Sequence, residues 1–107
     1  MIGIGKWQVS VNMLIFRGDI DIVIEDRDGE YNIDFIFPDK LKGFKIDIYE
    51  VNENGNTLSG KGKVDMGKGK FGEVGATATF EGDTLTGVLS IPMLKREIPL
   101  KNGHRIG

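Results

Sequence analysis

Apolar and polar residues alternate along most of this chain with a period of two. Trp7, Val9, Val11, Met13 and Ile15 occupy every second position, with Gln8, Ser10 and Asn12 between them. Ile20, Ile22 and Ile24 are flanked by Asp19, Asp21 and Glu25. Tyr31, Ile33, Phe35 and Phe37 alternate with Asn32 and Asp34, and Phe44, Ile46 and Ile48 alternate with Lys45 and Asp47. Successive side chains of a strand point to opposite faces, so each run buries one face and wets the other. The supply of Ile, Val, Phe, Tyr and Thr suits strands, and no stretch carries a helical period.

Turn chemistry divides the runs. Arg17-Gly18, Asp26-Arg27-Asp28-Gly29, Asn52 to Asn56 and Gly82-Asp83 read as tight reversals, with longer connections at Pro38 to Gly43, Met66 to Gly72 and Pro92 to Leu94. The predicted strands cover roughly 6–16, 19–25, 30–37, 44–51, 57–65, 73–81, 84–91 and 96–106. This is one all-β domain over residues 1–107. An eight-stranded antiparallel up-and-down barrel removes both sheet edges and is the preferred arrangement, with a β-sandwich as the alternative that the same alternation permits. Gly55-Asn56-Thr57-Leu58-Ser59-Gly60 is echoed by Gly82-Asp83-Thr84-Leu85-Thr86-Gly87, which points to shared hairpin geometry.

Gly5-Lys6-Trp7 opens the first strand and Arg105 lies near the end of the last. This resembles the calycin pattern of lipocalins, fatty-acid-binding proteins and avidins, and the small bacterial calycin-like β-barrel domains with Gly-Asp-Thr-Leu-Thr-Gly turns. The resemblance implies that Trp7 packs at a closed barrel end beneath Arg105. Independently of it, Trp7 is the sole tryptophan, points inward by parity and is large enough to plug one end.

In an antiparallel meander, loops after odd strands share one end and loops after even strands share the other. The even end holds the tight turns and the Trp7 plug. The odd end holds the longer loops, which carry Pro38, Leu41, Met66, Phe71, Met93 and Leu94. Apolar residues gathered in loops mark a ligand entrance, a protein contact including self-association, or lids closing the barrel on itself. Small inward residues such as Gly60, Gly62, Ala76 and Ala78, set against Ile20, Phe35 and Ile46, either leave a void or let a short barrel interdigitate large with small.

The expected binding site is therefore the inner face toward the odd end. Its proposed liners are Met13, Ile15, Ile20, Phe35, Phe37, Phe44, Ile46, Ala76, Leu89 and Ile91, with Lys68 and Lys70 to meet an acidic headgroup. The function expected is a binding module for a small hydrophobic or amphipathic ligand. The alternative is an interaction or self-associating domain, a homo-oligomer built through Leu41, Phe71, Met93 and Leu94.

Charge narrows the partners. The formal net charge of −2 argues against a nucleic-acid binder driven by phosphate neutralisation. Residues 19–53 hold eleven acidic and four basic side chains, whereas residues 61–70 hold four lysines and one aspartate, so the two signs occupy different strands. Cysteine is absent, which removes disulfides and thiolate zinc sites. No apolar run reaches the length of a membrane span, and no leader peptide is visible at Met1 to Trp7, so a cytoplasmic location is expected.

Catalytic signals are weak. Asp26 to Glu30 lacks the spacing of a calcium loop, and Gly67-Lys68-Gly69-Lys70 lacks that of a phosphate loop. His104 is the sole histidine, with no nucleophile elbow near Ser10, Ser59 or Ser90. Asp19 and Asp21, or Asp34 and Asp47, point outward by parity, away from the burial that tunes a catalytic carboxylate. No motif calls for a catalytic residue, a metal or another cofactor.

Overall fold

A computed structural model describes residues 1–13, 16–41, 43–67 and 69–107. Its strands are β1 (Gly5–Met13), β2 (Phe16–Arg27), β3 (Glu30–Ile36), β4 (Lys45–Asn54), β5 (Thr57–Asp65), β6 (Phe71–Glu81), β7 (Thr84–Ile91) and β8 (Arg96–Arg105). Two single-turn 3₁₀ segments, Asp39–Leu41 and Pro92–Leu94, sit in the connections after β3 and β7. The strands follow chain order around a closed antiparallel barrel, with β8 pairing back onto β1. The alternation seen in the sequence is thus the inside and outside of one wall.

Turn residues set the registers. Asp28 and Gly29 both have positive φ (53° and 87°), which makes the β2–β3 reversal a type I′ turn. The echoed turns take positive φ only at their first central residue, Gly55 (62°) and Gly82 (57°), and are type II′. They are equivalent in a further way. The carbonyl of Asn56 accepts from the Phe80 amide at 2.9 Å, and that of Asp83 accepts from the Arg105 amide at 2.9 Å. Each turn is tied to the strand beyond its own hairpin, so the echo reports common architecture.

One reversal differs from expectation. Met13 pairs with Phe16 and Val11 with Gly18, which puts Arg17 and Gly18 inside β2 rather than at a turn. The physical reason is local: the Phe16 ring occupies the space a side chain at position 18 would need, its Cζ lying 2.8 Å from where a Cβ would stand.

The core fills the barrel from Trp7 at one end to Ile91 and Ile98 at the other, and no polar or charged side chain is buried among the described residues. Ladders of three or more matched pairs join every neighbouring pair of strands except one, the β1–β8 closure being the shortest and bulged. Between β3 and β4 a single pair is matched, Asp34 opposite Asp47. That junction follows the longest connection, residues 37–44, and forms a seam in the wall.

Candidate functional site

The even end is shut by side chains. Trp7 is fully buried, and its indole N–H donates to the Gly3 carbonyl at 2.9 Å. Phe80 packs against it with ring centroids 5.0 Å apart. Arg105 pairs with Trp7 across β1 and β8 and lies over the indole, 4.4 Å from its centroid. The guanidinium donates to the Ile4 carbonyl at 2.7 Å and to Asp83 at 2.9 Å. A planar cation with several fixed donors fits this position, capping an aromatic face while satisfying chain termini.

Near the same end the seam has a clasp. The Tyr31 hydroxyl of β3 donates to the Glu53 carboxylate of β4 and accepts from the Ile2 amide at 2.8 Å. Burial and the neighbouring Glu53 carboxylate raise the phenol above its ordinary value.

The odd end is built from the longer connections. The first 3₁₀ turn is closed by the Leu41 amide donating to the Pro38 carbonyl (2.9 Å) and the Phe44 amide to that of Leu41 (2.9 Å). This turn swings Leu41 inward, where it is buried at the floor of the mouth rather than presented on the rim. The same connection gathers three expected site residues. Phe35 and Phe37 stack at 6.4 Å, and Phe37 meets Phe44 edge-on at 5.0 Å. With Pro38, Asp39 and Gly43 they line a groove of about 430 Å³ at the barrel mouth.

Inside the barrel there is little free space. A cavity of about 40 Å³ remains, bounded by Ile22, Phe35, Ile48, Ala76, Ala78 and Leu100 among others. Its lining is apolar and it holds room for one or two water-sized molecules. Phe35 is common to this cavity and to the mouth groove. Ile33 and Phe35 approach it from β3 and Ile48 and Val51 from β4, so the cavity lies directly behind the seam.

The expected liners divide into groups. Phe35 and Ala76 border the cavity, and Phe35, Phe37 and Phe44 form the mouth. Met13, Ile20, Ile46, Leu89 and Ile91 are buried in the packed core. Lys70 is exposed in the connection after β5. Ile15 and Lys68 lie outside the described residues. Unforeseen liners are Ile22, Ile48, Leu58, Leu85 and Leu100. Their signal was the row of small residues at Gly60, Ala76 and Ala78, which marks the wall nearest the unfilled volume.

Other candidates have ordinary partners. Asp26 accepts from the Gly29 amide at 2.9 Å, the usual bond of a hairpin turn. His104 is exposed and shares a 2.8 Å contact between Nδ1 and the Asn102 carbonyl. Ser10 donates to Asp19 at 2.7 Å on the outer wall. Among the described residues no group of three His, Asp or Glu is placed to hold a metal ion, and no helix is long and apolar enough to cross a membrane.

Comparison with protein-family models, curated proteins and solved structures finds no match to this chain.

Proposed function

We infer that the chain is a binding module for a small hydrophobic or amphipathic molecule, taken up at the mouth formed by Phe35, Phe37 and Phe44. The observation that carries this reading is that Phe35 borders both the mouth groove and the apolar cavity behind it. A turn of that one ring joins a groove of about 430 Å³ to a cavity of about 40 Å³. The groove gives a polar-lipped mouth and the cavity an apolar interior, the arrangement of many small-ligand sites. Asp39 borders the groove, Lys40 is exposed on the same connection, and Lys45 is exposed at the start of β4. The apolar body of a ligand would lie on the aromatic cluster and its polar end among these groups. The seam favours the same reading, because a wall joined at one matched pair separates at lower cost than a full ladder. The likeness of Gly5-Lys6-Trp7 and Arg105 to the calycin pattern is in keeping with such a role.

Titration with anilinonaphthalene sulfonate, an apolar probe with an anionic group, tests the reading. Phe35→Ala and Phe37→Ala should each weaken binding about tenfold, the equivalent of ~1.4 kcal/mol. Ile36→Ala, on the outer wall, should leave binding unchanged. Unaltered affinity in both phenylalanine variants, with native near-ultraviolet dichroism retained, sinks the assignment.

A further inference from the structure

A second feature of the odd end is independent of the groove. Phe71, Met93 and Leu94 are exposed to 64%, 43% and 41%. They lie at the same end of the barrel: Phe71 opens β6, the second 3₁₀ turn packs on that strand, and the Met93 side chain lies across Gly72, its Sδ 2.9 Å from where a Cβ would stand. The turn is held by the Lys95 amide donating to the Pro92 carbonyl at 2.9 Å, with Lys95 itself left-handed at φ 51°.

Cations surround these apolar side chains. Lys70 precedes Phe71, and Lys95 and Arg96 follow Leu94. Arg17, Lys40 and Lys45 extend the basic rim around the same end, against Asp39, Asp65 and Glu97. The opposite end has the reverse sign: its turns and strand ends carry Asp26, Asp28, Glu30, Glu53, Glu81 and Asp83 against Lys6, Arg27 and Arg105. The barrel is therefore polarised along its axis, although its net charge is only −2.

We propose that the odd rim docks on an anionic lipid surface, with Phe71, Met93 and Leu94 entering the headgroup–acyl boundary and Lys70, Lys95 and Arg96 meeting lipid phosphates. Exposed apolar tips beside cations are the combination that holds proteins at such interfaces. The axial polarity adds orientation, because a negative surface attracts the basic end and repels the acidic one. A second copy is a poorer occupant. A twofold contact sets the same patch against itself, bringing Lys70, Lys95 and Arg96 toward their own counterparts. Three apolar tips also fall far short of the roughly 800 Å² per partner that a stable protein contact buries.

Sedimentation with vesicles tests the proposal, comparing pure phosphatidylcholine with an equimolar mixture of phosphatidylcholine and phosphatidylglycerol. The protein should pellet with the anionic vesicles, stay in solution with the neutral ones, and be released by high salt. Lys70→Glu and Arg96→Glu should each weaken binding by at least about fivefold. Leu94→Ser should also release the protein, while Ile106→Ser, an exposed apolar residue at the shut end beside Lys6, should not. Trp7 emission reports that each variant remains folded. The proposal is overturned by absence of pelleting, by equal pelleting with neutral vesicles, or by variants that bind like the parent. It is also overturned if sedimentation velocity shows a dimer that Leu94→Ser dissociates, because the patch is then a self-contact.

Discussion

Arg105 covers the indole of Trp7 at 4.4 Å while its N–H groups reach Ile4 and Asp83, so one side chain joins the two ends of the chain at the shut end of the barrel. The bond to Asp83 counts for little, since that carboxylate is 82% exposed. The stacking and the bond to the Ile4 carbonyl are the larger contributions. Arg105→Ala should therefore destabilise the fold by about 1–3 kcal/mol. Arg105→Lys should recover less than half of that, because a compact ammonium lacks the planar fork. Urea unfolding followed by Trp7 emission measures both. If lysine restores full stability, charge alone matters and the stacking argument is wrong.

The two copies of the hairpin echo end in Gly60 and Gly87, yet these glycines face different neighbours. A Cβ at Gly87 would fall on the Thr77 carbonyl oxygen, which is backbone in a paired strand. A Cβ at Gly60 would meet Ile48 Cγ2 at 2.8 Å, a side chain beside the cavity that has room to turn. Gly87→Ala should cost about 3 kcal/mol or more, and Gly60→Ala about 1 kcal/mol. Thermal melts of the pair decide it. Equal losses would mean that the β4–β5 and β6–β7 walls yield equally.

Ala76 borders the internal cavity from β6. Replacing it by valine adds two methyl groups toward about 40 Å³ of empty volume. Filling such a space commonly adds about 0.5–1 kcal/mol of stability. Ala76→Val should raise the melting temperature and weaken binding of the apolar probe. A higher melting temperature with unchanged probe affinity would confine the ligand to the outer groove.

Much of this architecture is readable from residue order. Alternation from Trp7 to Met13 and from Ile20 to Ile24 assigns the inner face correctly, because a period of two leaves no freedom once one face must be buried. The closed end is readable too, since Trp7 is unique and Arg105 stands opposite it. Three things are not readable. Gly18 resembles a turn residue, but its role is to make room for the Phe16 ring. Leu41 lies in a connection and is nonetheless buried, because the Pro38–Leu41 hydrogen bond folds it inward. The cavity is a difference between wall spacing and side-chain volume, so parity lists its candidate liners without choosing among them. Phe35 and Ala76 border it, whereas Ile20 and Leu89, equally inward, are packed solid.

The seam itself depends on a like-charged pair. Asp34 and Asp47 stand opposite each other at the one matched position between β3 and β4. Directly opposed like charges disfavour strand pairing by roughly 0.2–1 kcal/mol. Asp47 also faces Lys63 on β5, so Asp34 is the side chain to change. Asp34→Asn should stabilise the junction by a few tenths of a kcal/mol. Hydrogen exchange at the β3 and β4 amides should slow in that variant, while exchange in the β5–β6 ladder stays the same. Uniform slowing across the barrel would show that the seam has no separate opening motion.

Tyr31 bears on the same seam from its clasped end. Its phenol is raised by burial and by Glu53, so the folded chain holds the phenolic proton more tightly than the unfolded chain does. The stabilisation is fully present below the ordinary phenol value of about 10 and is lost as pH rises through the higher folded value. Alkali should thus loosen β3 from β4 by charging the hydroxyl beside the Glu53 carboxylate. Tyr31→Phe should lower stability at neutral pH, because Glu53 and the Ile2 amide lose their partner, and should flatten the decline above pH about 10. Unfolding free energies measured across that range give the sign directly. Phenolate absorbance should show Tyr31 ionising above the ordinary phenol value. If Tyr31 ionises at the ordinary phenol value, the Tyr31–Glu53 bond does not hold the seam in solution.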